Sequence, residues 1–233
     1  MSGSPLNSQT QRLGRAAGLG YLVMAMTGGF WFGSMQGFRG AGDAALLTHI
    51  RDGQLMFELS ILSGAAQFVA YLATAVLLYR RFGPKAPVAA GLLLVFVVAS
   101  VPLSLMAVAR QMELLSLLGP AAQGQAAQVA PLLRDFDALM KLSSLFWGLW
   151  LLPLAWFAVR AGGWSRLVGV VVMLGGLGYV SIFVRPLLWP LAATGPLDLA
   201  AGVATVLSEL VAILWLLIAS DRPATAPRGA PAA

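Results

Sequence analysis

Between Pro196 and Ala219 the chain reads PLDLAAGVATVLSELVAILWLLIA, an apolar run that, beyond Asp198 at its start, carries one carboxylate, Glu209, near its middle. A hydrocarbon core of about 30 Å takes about 20 apolar residues of helix, and this run is long enough. A carboxylate at that depth costs roughly 2.5–3.5 kcal/mol on insertion scales, so it has to face protein or a water-filled cavity. Helical spacing supports such a placement. Gly202, Thr205, Glu209 and Ala212 form a small or polar stripe, whereas Val203, Leu207, Leu210, Leu214 and Leu217 are bulky and suit lipid or neighbouring side chains. The other apolar runs are read as walls around this helix.

The rest of the chain has the same character. It is 59% hydrophobic and only 10% charged, with a mean hydropathy of +0.82, values that define a membrane protein. The expected fold is all-α and polytopic, a bundle of six transmembrane helices. Residues 1–11 are expected to be a disordered cytoplasmic N-terminus, 12–220 the transmembrane domain and 221–233 a disordered cytoplasmic tail rich in Pro and Ala. The net charge of +6 sits in short loops, where it sets topology, and nucleic acid is discounted as a partner. There is no cysteine and one histidine, which excludes thiolate metal sites, disulfides and bis-histidine haem ligation from this chain alone. No cofactor is indicated. The run after Arg15 is too long for a signal-peptide core and is read as an uncleaved first helix.

In order, the first span is expected from about Ala16 to Gln36. Its Gly29, Gly33 and Gly37, at four-residue spacing, invite close approach by another helix, within the chain in preference to a second copy. GDAALLTHIRDG is expected to make a short interfacial helix outside the core, with Asp43 in its first turn or capping it. The second span, about Leu55 to Tyr79, has a polar face of Ser60, Ser63, Gln67, Tyr71 and Thr74. Glu58 lies about 200° around from Ser60 and belongs to the interfacial end. The third runs from Pro87 towards Leu118, interrupted by Pro102, with Ser100, Ser104, Ala107 and Gln111 on one side. Gly119 to Pro131 is read as a loop. The fourth span, about Leu139 to Val159, carries Trp147, Trp150 and Trp156, read as packing or interface anchors. The fifth, about Leu167 to Leu188, has Gly175, Gly178, Ser181 and Arg185 on one face, and the sixth is the helix of Glu209. GLGYLV at Gly18 and GLGYVS at Gly176 resemble each other, without establishing a duplication.

Six spans put both termini on one side. That side collects Arg12, Arg15, Arg80, Arg81, Lys85, Arg160, Arg166, Arg222 and Arg228 against Asp221 alone. The excess of Arg and Lys makes it cytoplasmic, and the expected location is the cell (inner) membrane, multi-pass, with both termini cytoplasmic.

Five stretches, RAAGLGYL from Arg15, LLYRRFGP from Leu77, SSLFWGLWLLPLAWFAVRAGGWSRLVG from Ser143, GGLGYV from Gly175 and SELVAILWLLI from Ser208, touch every span but the third. Their order and spacing resemble a family of bacterial integral membrane proteins, the "domain of unknown function" family numbered 4386. The resemblance implies a multi-helix membrane fold and an acidic residue like Glu209. It implies no activity, substrate or cofactor. Glu58 departs from the basic or neutral residue common at that position in members.

The residues expected to form a site are Glu209, Arg185, Lys141, Gln67, Ser144 and Ser104, lining a polar cavity in the outer half of the bundle. Glu209 reads either as a titrating or cation-binding carboxylate, or as a structural clasp hydrogen-bonded to Gln67, Ser144, Ser181 or backbone. Arg185 and Lys141 lie about 12 Å outward of their helix midpoints at 1.5 Å per residue, able to snorkel outward or to reach Glu209. His49, with Asp43 and Asp52 nearby in sequence, is read as a solvated interfacial histidine, and no metal site is assigned. No phosphate loop, dinucleotide fingerprint, paired zinc histidines or serine nucleophile elbow is present, and no catalytic residue is assigned. The function expected first is binding or transport of a small amphiphile or lipid, with Arg185 or Lys141 facing an anionic group. The alternatives are a structural or accessory membrane subunit and an intramembrane enzyme using Glu209. Homo-oligomerisation stays open, and the bilayer is the one partner the composition requires.

Overall fold

The computed structural model describes residues 5–39, 43–119, 125–189 and 195–218. Seven helices make up the described chain: α1 (Pro5–Arg39), α2 (Asp43–Asp52), α3 (Gln54–Phe82), α4 (Pro87–Ser116), α5 (Val129–Ala161), α6 (Ser165–Leu188) and α7 (Pro196–Ile218). No strand occurs among the described residues. All but α2 are long and apolar enough to cross a membrane, so this is a multi-pass membrane protein. Prolines mark the starts of α4 and α7, where the missing N–H has no helical partner to lose. Gly162 and Gly163, at φ of 73° and 58°, take the left-handed conformations that reverse the chain between α5 and α6. Pro102, Pro153 and Pro186 lie inside helices, which neighbouring helices make tolerable at membrane depth.

In the bundle, α1 packs on α3, α3 on α4, α4 on α5, α5 on α6, α6 on α7 and α7 back on α1. The α7–α1 seam is the thinnest. Apolar side chains gain little by leaving lipid for protein, so these contacts rely on close packing at small residues. At the α5–α6 seam a Cβ on Gly148 would lie 2.9 Å from the Val180 backbone nitrogen, and one on Gly176 3.0 Å from the Gly148 carbonyl oxygen. On α6 and α7, Gly175 abuts Ser208, and Gly178 faces the Ala201 carbonyl.

Trp150 of α5 crosses the interior to meet Tyr21 of α1 at 5.2 Å and Tyr71 of α3 at 5.0 Å between ring centroids. At the side carrying the termini, Phe82 stacks on Phe157 at 4.1 Å and parallel to Trp215, whose indole N–H donates to Ser165 at 3.0 Å. Arg81 donates there to the Thr10 carbonyl oxygen. At the opposite, loop side, Arg39 makes a bidentate pair with Asp137 at 2.7 and 2.9 Å, and Arg110 bridges to Glu113 and Asp135.

Several boundaries differ from the sequence reading. The first helix begins at Pro5, not Ala16, so residues 5–11, expected to be disordered, are helical. The expected Gly119–Pro131 loop contains a short 3-10 turn, Gln125–Gln128, and α5 already starts at Val129, whose side chain is buried. Residues 120–124 and the tail 221–233 lie outside the described residues. The short helix α2 is not outside the core: Leu46 and Ile50 are fully buried, because its apolar edge faces the bundle, while His49 is exposed as expected. The Asp43 capping expectation falls on a side chain outside the description. Gly29, Gly33 and Gly37, expected to receive another helix of the chain, meet nothing within 4 Å; Gly18, Gly20 and Gly28 make the close approaches of α1 instead.

Candidate functional site

Glu209 lies on α7 nine residues before its described end, at mid-bilayer depth on a helix of 23 residues. Its carboxylate accepts a 2.5 Å hydrogen bond from the Tyr179 hydroxyl of α6. The approach of α6 that makes this possible comes from Gly175 and Gly178, whose missing side chains let α7 draw in at Ser208 and at Ala201, both on the loop side of Glu209. Tyr21 and Tyr71 also lie within electrostatic reach of Glu209. Both hydroxyls are buried; that of Tyr21 has no hydrogen-bond partner among the described residues, and that of Tyr71 faces Ser100. Tyr179 of α6 thus touches the carboxylate on α7, with Tyr21 of α1 and Tyr71 of α3 in the same part of the interior, Trp150 against those two and Trp147 edge-on to Tyr179 at 5.9 Å.

The bundle is open beside this site. Gly18 and Leu217 join α1 to α7 towards the terminal side, with 2.9 Å from a Gly18 Cβ to Leu217 Cδ2. About three turns further along each helix, on the same faces, stand Gly29 and Val206, brought to one level by the antiparallel course. They do not meet: nothing lies within 4 Å of a Gly29 Cβ, and Val206 is 60% exposed. The two helices thus diverge towards the loop side. A groove of about 510 Å³ runs along α7 there, lined by Asp198, Leu199, Gly202, Val203, Val206 and Leu207. Glu209 follows Gly202 by about two turns on nearly the same face and is not among the residues that line the groove.

The other residues expected at the site scatter. Arg185 is paired with Asp198 at 2.7 Å, about 16 Å along α7 from Glu209 at 1.5 Å per residue. Lys141 is exposed, and Ser144 donates to its carbonyl oxygen at 2.7 Å within the same helix. Ser104 donates to Ser143 at 3.1 Å across the α4–α5 seam. Gln67 lies against Gly28 of α1 with its carbonyl oxygen buried and unpartnered. Ser181 donates to the Gly178 carbonyl oxygen of its own helix, so it does not clasp Glu209. Among the described residues no basic side chain pairs with Glu209, and none of these contacts joins it to Arg185 or Lys141. The residues that sequence reasoning missed are Tyr21, Tyr71 and Tyr179 as a set. Two of them are the tyrosines of the paired GLGY segments, a signal that was visible but had no partner residue to give it meaning.

A multi-pass helical membrane protein with a carboxylate in a tyrosine-lined interior is the class that fold and site define. The family described as Domain of unknown function (DUF4386) matches residues 16–219, and the chain belongs to that family. No curated protein and no solved structure matches it.

Proposed function

We propose that this protein binds or transports a small amphiphile or lipid, at Glu209 and the crevice beside it. The observation that carries the reading is the failure of Gly29 and Val206 to meet, which leaves a face of α7 open to lipid on the loop side of Glu209. An amphiphile suits both parts, with its apolar portion along Leu199, Val203 and Val206 and its polar portion at the tyrosine hydroxyls and carboxylate. Such sites are concave, mostly apolar and fixed by a few convergent polar groups. Relative to the expectation from sequence, the site moves from the outer-half residues Arg185 and Lys141 to mid-depth, and Gln67, Ser104 and Ser144 become wall residues. The arginine and lysine distribution supports cytoplasmic termini, and the family resemblance supports a bacterial inner membrane as the location.

A structural role is the second reading, favoured by the Tyr179–Glu209 hydrogen bond, which ties α6 to α7 whatever else the site does. Native mass spectrometry of the detergent-purified protein separates the two. A co-purified adduct of a few hundred daltons, lost when Val206→Trp fills the crevice, is the expected result. A bare mass in the wild type, or a mass of two chains without adduct, overturns the binding reading.

A further inference from the structure

We propose that the ligand of this site is a lipophilic organic cation, its charge taken by the Glu209 carboxylate and its hydrocarbon by the surrounding tyrosine and tryptophan rings. The inference rests on the amphiphile-binding reading and adds the sign and kind of charge. Glu209 is the group on which the sign turns. It has a phenol as its described partner, with no basic side chain paired to it among the described residues. The nearest candidates are accounted for elsewhere, Arg185 by Asp198 and Lys141 by its exposed position. In its ionised form a carboxylate at mid-depth without an internal countercharge repels an anionic head group and attracts a cationic one, and a bound cation in turn favours that form.

The rings decide the kind of cation. Tyr21, Tyr71, Tyr179, Trp147 and Trp150 form two joined aromatic groups, with centroid distances of 5.2, 5.0 and 5.9 Å. Aromatic faces attract alkylated or arylated ammonium and phosphonium groups, which carry little hydration to lose. A hard metal ion asks for something else. Calcium takes six to eight oxygen ligands, several of them carboxylates, whereas no group of three or more His, Cys, Asp or Glu stands together among the described residues. The buried, unpartnered hydroxyl of Tyr21 adds a second observation in the same part of the interior. It offers a polar contact beyond those that Glu209 and Tyr179 use between themselves. The groove of about 510 Å³, on α7 to the loop side of Glu209, has room for bulky apolar substituents.

Three probes of similar bulk and different charge test this on the whole protein: tetraphenylphosphonium, tetraphenylborate and neutral triphenylphosphine oxide, each titrated calorimetrically into the wild type in detergent. Tetraphenylphosphonium is expected to bind saturably and at least about tenfold more tightly than either of the others. Glu209→Gln is expected to abolish that preference and Glu209→Asp to retain it. If the oxide or the borate binds as well as the phosphonium, the amphiphile reading stands and the cation assignment falls. If none of the three binds, both fall. The selectivity is read on the unmodified chain, so a variant that fails to fold does not shield the proposal.

Discussion

Arg185 of α6 and Asp198 of α7 are joined at 2.7 Å across the loop-side connection of their helices, each side chain a little over one quarter exposed. Asp198 also accepts a 2.7 Å hydrogen bond from the Gly195 backbone N–H, so the carboxylate fixes both the start of α7 and the guanidinium. The pair closes off the loop side of the α6–α7 hairpin and draws Arg185 away from Glu209. A double-mutant cycle in thermal unfolding is therefore expected to give Arg185→Ala and Asp198→Ala a coupling on the order of 1 kcal/mol, discounted for partial exposure. Arg185→Ala and Glu209→Gln are expected to add independently. Coupling of Arg185 to Glu209 and not to Asp198 would restore the outer-half cavity that the sequence suggested.

Lys141 gives a simpler prediction. Its side chain is exposed, and the Ser144 hydroxyl, three residues on, is turned back onto the Lys141 carbonyl oxygen. Lys141→Ala is expected to leave both the unfolding temperature and tetraphenylphosphonium binding unchanged, within about 0.5 kcal/mol for an exposed substitution. A binding isotherm weakened or tightened several-fold would place Lys141 back at the site.

What the sequence made legible follows from length and charge. Six runs of bilayer length dictate six helices, and a lone carboxylate inside one of them stands out because its burial is costly. Glu209 was found that way. Its neighbours were not, because a tyrosine in an apolar helix is unremarkable until another helix brings a carboxylate to it. Tyr21, Tyr71 and Tyr179 belong to three helices, and their convergence depends on packing. Arg185 illustrates the opposite error. The stripe of Gly175, Gly178, Ser181 and Arg185 pointed inward, but Asp198 stands across the hairpin at the same level, and the shorter reach wins. The glycines divide for the same reason. Spacing marked Gly29, Gly33 and Gly37 as a contact stripe, whereas contact requires a partner helix at that level, and α7 has already diverged.

Trp31 of α1 donates its indole N–H to Gln111 of α4 at 2.5 Å, with both side chains buried. The two helices are not neighbours in the ring, so this bond crosses the interior. Gln111→Leu leaves the indole N–H buried without an acceptor, at a cost of about 1–3 kcal/mol. A lowered unfolding temperature in detergent is the expected result. Adding Trp31→Phe to that variant removes the orphaned donor, and the double variant is expected to be less unstable than the sum of the two single changes. Strict additivity would mean that the bond contributes nothing to holding α1 against α4.

Two glycines on different helices separate close packing from helix propensity. At Gly148 an added methyl group would press on the Gly176 carbonyl oxygen, and it would sit 2.7 Å from Val180 Cγ2 and 2.9 Å from the Val180 backbone nitrogen. Backbone atoms cannot rotate aside, so α5 and α6 must separate to admit it. That separation loosens Trp147 from Tyr179 and, through Tyr179, the contact with Glu209. Gly148→Ala is expected to cost about 1–3 kcal/mol, as overpacking does in other interiors. It should also weaken tetraphenylphosphonium binding, because the ring that supports the carboxylate moves with the seam. At Gly33 nothing lies within 4 Å of the new methyl group, so Gly33→Ala is left with the helix-propensity gain of about 0.5–1 kcal/mol. Parallel unfolding curves of the two variants check the contrast. Equal destabilisation by both would show that α1 is covered at Gly33 in the membrane, and the open crevice between α1 and α7 would then need a second chain to fill it.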